Sequence, residues 1–437
     1  MPRCALQARR GRTGVGLGSR SGPLIADTER PRLRIAMALY STLDHDSRVL
    51  REAGSLAAAG HDVTVYCLAW AGTTEVSFRV VTHRPDRSSV LPDASSSFHR
   101  GGRVGPLRRL TRLAGWMSGY IRNIRAWGSW IVEDAGAVDA WHAHDLPGLI
   151  AIGPRVRSGA ALVYDSHEIF LEAGTATRLP GPVRRLLAAY ERRLVRRVDA
   201  MVTVNEAYAG VLEKRLAPRR MVIVRNCPPR WQPTADGAPR LRASAGLADD
   251  VPLILYHGSL AADRGIEQSV AALSGPGMED VHLALLGFGN VDRLGIDGAP
   301  ASARVHRVEA VSPAELLGWV SEADVDVMPL QRSSLNHWLC TPNKLWESLA
   351  AGVPVVVSDF PVMRRIVMDD PGGPLGAVCD PADPASLAVA VRSLLDRPPS
   401  DRAVLRARCR AAAAERWNWE TESARLIDLY GDLGRTG

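Results

Sequence analysis

Short apolar runs of strand type alternate, over most of the chain, with stretches whose apolar residues return every three or four positions. The first run is LRIAMALY (33–40). It is followed by STLDHDSRVLREAGSLAAAGHDVTVYCLAW, which reads as loop, helix, glycine turn and strand. Val49, Leu50, Ala53, Leu56 and Ala57 recur at helical spacing, Asp46 is placed to cap, and Gly60 follows the end. That is a βαβ unit. AWHAH (140–144), ALVYDSHE (161–168), AMVTVNE (200–206) and MVIV (221–224) continue the series, with helical patterns between them. Pro228, Pro229, Pro233 and Pro239 then interrupt it, since proline removes a backbone donor and suits neither a helix interior nor a central strand. The alternation resumes with VPLILYHGSL (251–260), HLALLGFG (282–289), ARVHRVEAV (303–311), DVDVMPL (324–330) and VPVVVSD (353–359). Such alternation on both sides of a linker predicts an α/β protein of two doubly wound parallel-sheet, Rossmann-like domains that face one another across a cleft. The expected divisions are a disordered extension over 1–31, a first domain over 32–229, a linker over 230–248, a second domain over 249–400, and helices over 401–437 that pack back toward the first domain.

Composition supports that picture. A chain of 437 residues exceeds what one hydrophobic core usually organises, and 46% hydrophobic with 23% charged residues is ordinary for a globular protein. The net charge of +7 favours partners that carry phosphate. Six cysteines are scattered without a Cys-x-x-Cys pair, which fits a reducing cytoplasm and no structural zinc. No run approaches the roughly 18 to 20 apolar residues of a membrane-spanning helix. Arg9 and Arg10 are not followed by the apolar core of a targeting signal. Between residues 100 and 125, Arg100, Arg103, Arg108, Arg109, Arg112, Arg122 and Arg125 occur without an acidic residue, interleaved with Leu107, Leu110, Leu113, Trp116 and Tyr120 and followed by Trp127 and Trp130. That basic amphipathic pattern with interfacial aromatics predicts contact of residues 100–130 with an anionic membrane face.

The chemistry concentrates at strand ends. In TPNKLWESLAAG, Thr341 can cap, Pro342 suits the first helical position and Gly352 marks the end. The unpaired N–H groups of such a helix, with Lys344 in its first turn, form an anion site suited to a diphosphate, and Glu347 could accept hydrogen bonds from ribose hydroxyls. In HGSLAADRG, Gly258 turns after a buried strand and Arg264 precedes Gly265, so a guanidinium could pair with phosphate oxygens. The Gly287-x-Gly289 pair would let backbone approach a ligand. WHAHDLPGL puts His142 and His144 on one face of a strand, with Asp145 at its carboxyl end. These three could contribute to a metal site, but no third ligand set accompanies them, and none is expected. Asp165, His167 and Glu168 in YDSHEIF suit either hydrogen bonding to hydroxyl groups or capping of a following helix.

TPNKLWESLAAG together with HGSLAADRG, LLGFG and EADVDVMPL resembles the donor domain of retaining family 4 glycosyltransferases of the GT-B fold, with matching order across most of residues 33–433. It is closest in pattern to the branch with a Pro-Asn-Lys-Leu-aromatic-Glu string. The resemblance implies a transferase that moves a hexose from a UDP-, GDP- or TDP-linked donor to a hydroxyl of a lipid-linked, saccharide or natural-product acceptor, with retention and front-face attack. It implies neither cofactor nor metal. His144, Arg264 and Lys344 would serve catalysis. Gly258, Ser259, Arg264, Gly287, Gly289, Thr341, Asn343, Lys344, Leu345 and Glu347 would line the donor site, and Asp46, Asp145, His167 and Glu168 would contact acceptor or sugar. Two positions depart from the family: Leu339 stands where a second glutamate contacts donor sugar, and Ser259 where a second basic residue is often found. A cytoplasmic enzyme, peripheral on the inner face of the cell membrane, is expected, working in polysaccharide or glycoconjugate biosynthesis. The alternatives are a sugar-nucleotide epimerase of the same fold and a basic nucleic-acid-binding protein. The aromatic platforms of nucleic-acid readers are missing, so no nucleic-acid partner is expected.

Overall fold

A computed structural model describes residues 31–44, 46–72, 74–85, 106–233 and 240–436. The expected extension over 1–31, apart from Pro31, and much of the basic stretch lie outside the described residues; for 106–114, Trp116, Thr175, Val291, Arg293 and Thr436 only the backbone is described.

The first sheet has seven parallel strands: β1 (Arg34–Leu39), β2 (Asp62–Cys67), β3 (Arg79–Thr82), β4 (Ala140–His144), β5 (Ala161–Ser166), β6 (Ala200–Thr203) and β7 (Met221–Ile223). Their order is β3-β2-β1-β4-β5-β6-β7. The second sheet holds β8 (Leu253–Ser259), β9 (His282–Phe288), β10 (Val305–Glu309), β11 (Val325–Met328), β12 (Val355–Ser358) and β13 (Gly376–Cys379), in the order β10-β9-β8-β11-β12-β13. In each sheet the order reverses beside the first strand, between β1 and β4 and between β8 and β11, and that reversal opens a crevice at the carboxyl ends of the strands. The continuous apolar character of the runs follows from their being covered on both faces: β4, β6, β11 and β12 are buried along their whole length.

The domain edges differ from expectation in two places. Leu241–Ser244 is a short helix of the second domain, not linker: Leu241 is buried against Leu253 and Leu255, and Arg242 bonds Asp324 at 2.8 Å. Of the terminal helices, Pro399–Glu415 packs beside Asn343–Ala351 in the second domain, and only Trp419–Thr436 crosses to the first. There Trp419, Leu426, Leu429 and Tyr430 join Ile35, Met37, Leu39 and Val49 in one core, and Trp419 Nε1 donates to Ser55 at 2.8 Å. A second bond between domains is the segment 335–341. Asn336 accepts from the Ile169 amide at 3.0 Å, its carbonyl accepts from the Tyr208 hydroxyl at 2.9 Å, and the Asn205 amide donates to the Leu339 carbonyl at 3.0 Å.

Candidate active site

The donor-side residues converge at the carboxyl ends of β8 and β9 and the start of the Asn343–Ala351 helix. That helix begins one residue later than expected. Pro342 is its N-cap, and Thr341 makes no cap bond; its hydroxyl lies 3.3 Å from the Asn205 amide. Lys344 nevertheless sits in the first turn, buried, with Nζ 3.2 Å from the centroid of the Tyr256 ring. Nζ has no hydrogen-bond partner. Burial pushes the ammonium down to about 7, although Asp326 acts against it. Three residues on, Glu347 accepts from His257 Nε2 at 3.1 Å, while His257 Nδ1 lies 2.7 Å from Asp326. Burial would lower the imidazole, but the two carboxylates prevail and raise it to about 9, so His257 is a cation that fixes Glu347. Glu347 is half-buried, which works against its charge, yet its bond from His257 keeps it ionised below its ordinary range. Ser348 completes the support, its hydroxyl donating to Asp326 at 2.7 Å. His257 and Asp326 escaped the sequence reading; the available signal was a charged residue inside the central run DVDVMPL.

Other predicted donor residues take different parts. Gly258 has φ +106 with open space where a side chain would stand, as a cleft floor requires. Gly287 answers a different need from the ligand approach expected of it: a Cβ there would meet the Gly258 carbonyl at 1.9 Å, so the glycine serves strand packing. Gly289 likewise abuts the Leu260 carbonyl, at 2.3 Å. Ser259 ends β8, Arg264 is half-buried, and Asn343 is exposed at the helix start. Leu345 faces the second core, fully buried, and not the cleft. Leu339 packs between the two cores, so its side chain serves the domain interface.

Across the cleft, β4 and β5 deliver a dense buried network. Arg48 bonds Asp165 through Nε at 2.7 Å and Nη2 at 2.8 Å, reaches the Val224 carbonyl at 2.6 Å, and lies 3.0 Å from Glu52. His142 stacks on His144 at 4.5 Å, and its Nδ1 lies 2.9 Å from the Tyr430 hydroxyl. His167 lies 3.0 Å from Asp165, 3.2 Å from His144 and 3.5 Å from Asp145. Burial opposes charge on His167, but Asp145 and Asp165 raise it to about 10; His144, with burial first and His142 second against its charged form, falls to about 3. The pair therefore splits into a cation and a neutral imidazole. Asp46 is a cap, accepting from the Val49 amide at 3.1 Å. Asp145 adopts φ +53 and accepts from the His167 amide at 3.1 Å. Glu168 is exposed, beside Asn336 and Arg264. Ligand atoms of Glu52, His142, His144 and Asp165 fall within 4.8 Å of one another, a set that by residue type could hold a metal ion. The Arg48 guanidinium already bridges its two carboxylates, so a metal there would sit against a fixed positive charge. Sequence reasoning missed Arg48 and Glu52, charged residues four apart on the same helical face as Val49, Ala53 and Leu56.

Of the basic stretch, three aromatics are described: Trp127 is buried and donates to the His83 carbonyl at 3.0 Å, Trp130 stacks on His83 at 3.9 Å, and Tyr120 packs edge-on against Tyr40. The side chains of Arg100, Arg103, Leu107, Arg108, Arg109, Leu110, Arg112, Leu113 and Trp116 lie outside the described residues. No described helix is long and apolar enough to cross a membrane.

Two parallel-sheet domains with facing carboxyl ends define a GT-B protein. Residues 46–227 match the Glycosyl transferase 4-like domain and 251–397 the Glycosyl transferases group 1 domain. A glycogen synthase of Mycobacterium tuberculosis is 29% identical over 309 residues, 67% of this chain and 68% of that protein. Among solved structures, sucrose-phosphate synthase from Thermosynechococcus elongatus superposes with a TM-score of 0.69 at 18% identity, over 92% of this chain and all of that one. Anabaena HepE in complex with UDP and glucose gives 0.64 at 14%, over 92% and 100%. The protein is a glycosyltransferase of the GT4/GT-B type.

Proposed function

We propose that the protein transfers a hexose from a nucleoside diphosphate donor to a hydroxyl acceptor, with retention and without a metal ion. The observation that carries this reading is Lys344: a buried ammonium without a hydrogen-bond partner, at the N-terminus of a nine-residue helix, beside a glutamate held by a charged histidine. A diphosphate supplies what the ammonium and the free helix amides lack. Glu347, pinned by His257, presents a carboxylate for vicinal ribose hydroxyls. Departure of the diphosphate builds negative charge that Lys344, Arg264 and the helix terminus stabilise, and this favours the transition state over the ground state. His144, neutral and next to the His167 cation, would face the sugar from the other domain. Complexes of UDP with a structural neighbour are consistent with such a donor.

Thermal stabilisation by UDP-, GDP- and TDP-hexoses tests the site. One nucleotide class should raise Tm, and Glu347→Ala should remove the shift. A full shift in that variant would sink the assignment. Interconversion of the donor sugar in the absence of acceptor would replace transfer by epimerisation.

A further inference from the structure

We propose that the second domain carries a saccharide-binding site, separate from the donor cleft, at the carboxyl ends of β11, β12 and β13. The inference does not rest on the transferase reading. A cavity of about 590 Å³ opens there, lined by Gln331, Arg332, Trp338, Asp359, Phe360 and Asp380. Sites for small ligands span roughly 300–1,000 Å³, so more than one sugar ring has room. In the sheet order β10-β9-β8-β11-β12-β13 the donor residues gather at β8 and β9, and the cavity lies on the other side of the reversal. The Leu335–Leu339 helix serves both sides: Asn336 bonds the first domain at Ile169 and Tyr208, while Trp338 turns to Phe360, with ring centroids 4.8 Å apart.

The walls are fixed by bonds of their own. Gln331 Nε2 donates to the Pro329 carbonyl at 2.9 Å and the Pro381 carbonyl at 2.6 Å, which ties the turn after β13 to the turn after β11. Phe360 is buried, Trp338 is half-buried, and the Arg332 guanidinium lies over the indole, 3.9 Å from its centroid. Among the described residues that guanidinium meets no carboxylate and no hydrogen-bond acceptor, so the ring holds its donors ready for a ligand. Two carboxylates each keep one oxygen without a partner among the described residues. Asp359 Oδ1 accepts from Arg364 at 2.7 Å, and Asp380 Oδ1 accepts from the Ala382 amide at 3.0 Å.

Charge is balanced around the cavity, with Arg332 and Arg364 against Asp359 and Asp380. A phosphate would meet both carboxylates, and a polyamine both guanidinium groups. A hydroxyl donates and accepts at once. Neighbouring hydroxyls of a neutral sugar can therefore donate to the free carboxylate oxygens and accept from the guanidinium, while Pro381 and Ala382 offer apolar surface to the C–H face of the ring. On a transferase such a site retains a saccharide chain between transfers without filling the donor cleft.

Titration of the full chain with neutral trisaccharides of glucose, mannose and galactose, followed by saturation-transfer NMR, tests the site. At least one sugar should bind, and neither salt nor an excess of UDP and GDP should displace it. Asp380→Asn keeps an acceptor for the Ala382 amide, and Arg332→Ala removes an exposed side chain that bonds nothing else, so the melting temperature should hold in both. Each should weaken saccharide binding about tenfold, as loss of a charged hydrogen bond does. Glu347→Ala should bind the sugar as the wild type does, which separates this result from any failure of the donor assignment. Absence of binding by all three sugars, its loss in Glu347→Ala, competition by nucleotide, or undiminished binding by both Asp380→Asn and Arg332→Ala would each overturn the proposal.

Discussion

In the first domain Arg48 spans Asp165 and Glu52 and still reaches a carbonyl, whereas in the second Lys344 has only the face of Tyr256. Both cations are buried beside carboxylates at the carboxyl ends of a doubly wound sheet. The difference lies in the cations. Arg48 donates to Asp165 and the Val224 carbonyl and so holds β5 to the first helix and the β7 end, although Glu52 and the Nε2 atoms of His142 and His144 around it make no hydrogen bond. In the second domain His257 takes the carboxylates and leaves Lys344 outside the bonding. A partnered buried cation contributes to folding, and an unpartnered one is arranged for a partner from solution.

The strongest way to break this contrast is to remove the first cation. Arg48→Met should leave Asp165 and Glu52 buried without their counter-charge, and breaking a buried pair in this manner costs about 3–5 kcal/mol. Urea denaturation should show that loss. If Lys344→Met destabilises the chain as much, the two networks are alike and the contrast fails.

Lys344→Met is expected to leave stability unchanged or higher, since it removes a buried amine without a hydrogen bond. Its effect should appear in nucleotide affinity. A charged hydrogen bond is worth about 1.5–3 kcal/mol, so calorimetry should find roughly ten- to a hundredfold weaker binding of the preferred diphosphate. The pH dependence sharpens the point. With the ammonium lowered from 10.5 to about 7, the unfolded chain holds more protons between those values, so this group makes stability rise with pH across that window. His257 acts oppositely: raised from 6.5 to about 9, its contribution is complete below 6.5 and is lost as pH climbs through 9. Comparing wild type with Lys344→Met isolates the lysine. The wild type should gain on the variant as pH rises from 7 toward 10, while below about pH 8.5, before His257 loses its proton, its nucleotide affinity falls and that of the variant stays flat.

The legibility of these features in the sequence follows from how local their causes are. Apolar runs and helical spacing are local, so the strand-helix alternation and most strand positions could be read directly. β3 and β13 could not, being short edge strands, RVVT and GAVC, with half-buried positions. Lys344 and Glu347 were legible because a single helix carries both. His257 and Asp326 were not, since their contact joins β8 to β11 across about seventy residues of chain. The same limit hid Arg48 and Glu52, whose place in the site depends on β5. In the arginine-rich stretch the inward packing of Trp127 and Trp130 was hidden in the same way, since it depends on Tyr40, Tyr66 and His83, far off in the chain.

Thr341 offers the finest test. Had it capped the donor helix, its loss would cost about 1 kcal/mol, as caps do. Pro342 holds the cap position, and the Thr341 hydroxyl is only the longer of two acceptors for the Asn205 amide, at 3.3 Å against 3.0 Å to the Leu339 carbonyl. The β-branched isostere Thr341→Val keeps the packing and leaves Asn205 its shorter bond. It should therefore cost about 0.5 kcal/mol or less, read from urea midpoints with the slope unchanged, and nucleotide affinity should hold within about twofold. Asn205→Ala, by contrast, removes both the interdomain bond and the cap on Tyr208, whose amide donates to Asn205 at 2.8 Å, and should cost several times more. Equal losses from the two variants would mean that Thr341, and not Asn205, ties the donor helix to the first domain.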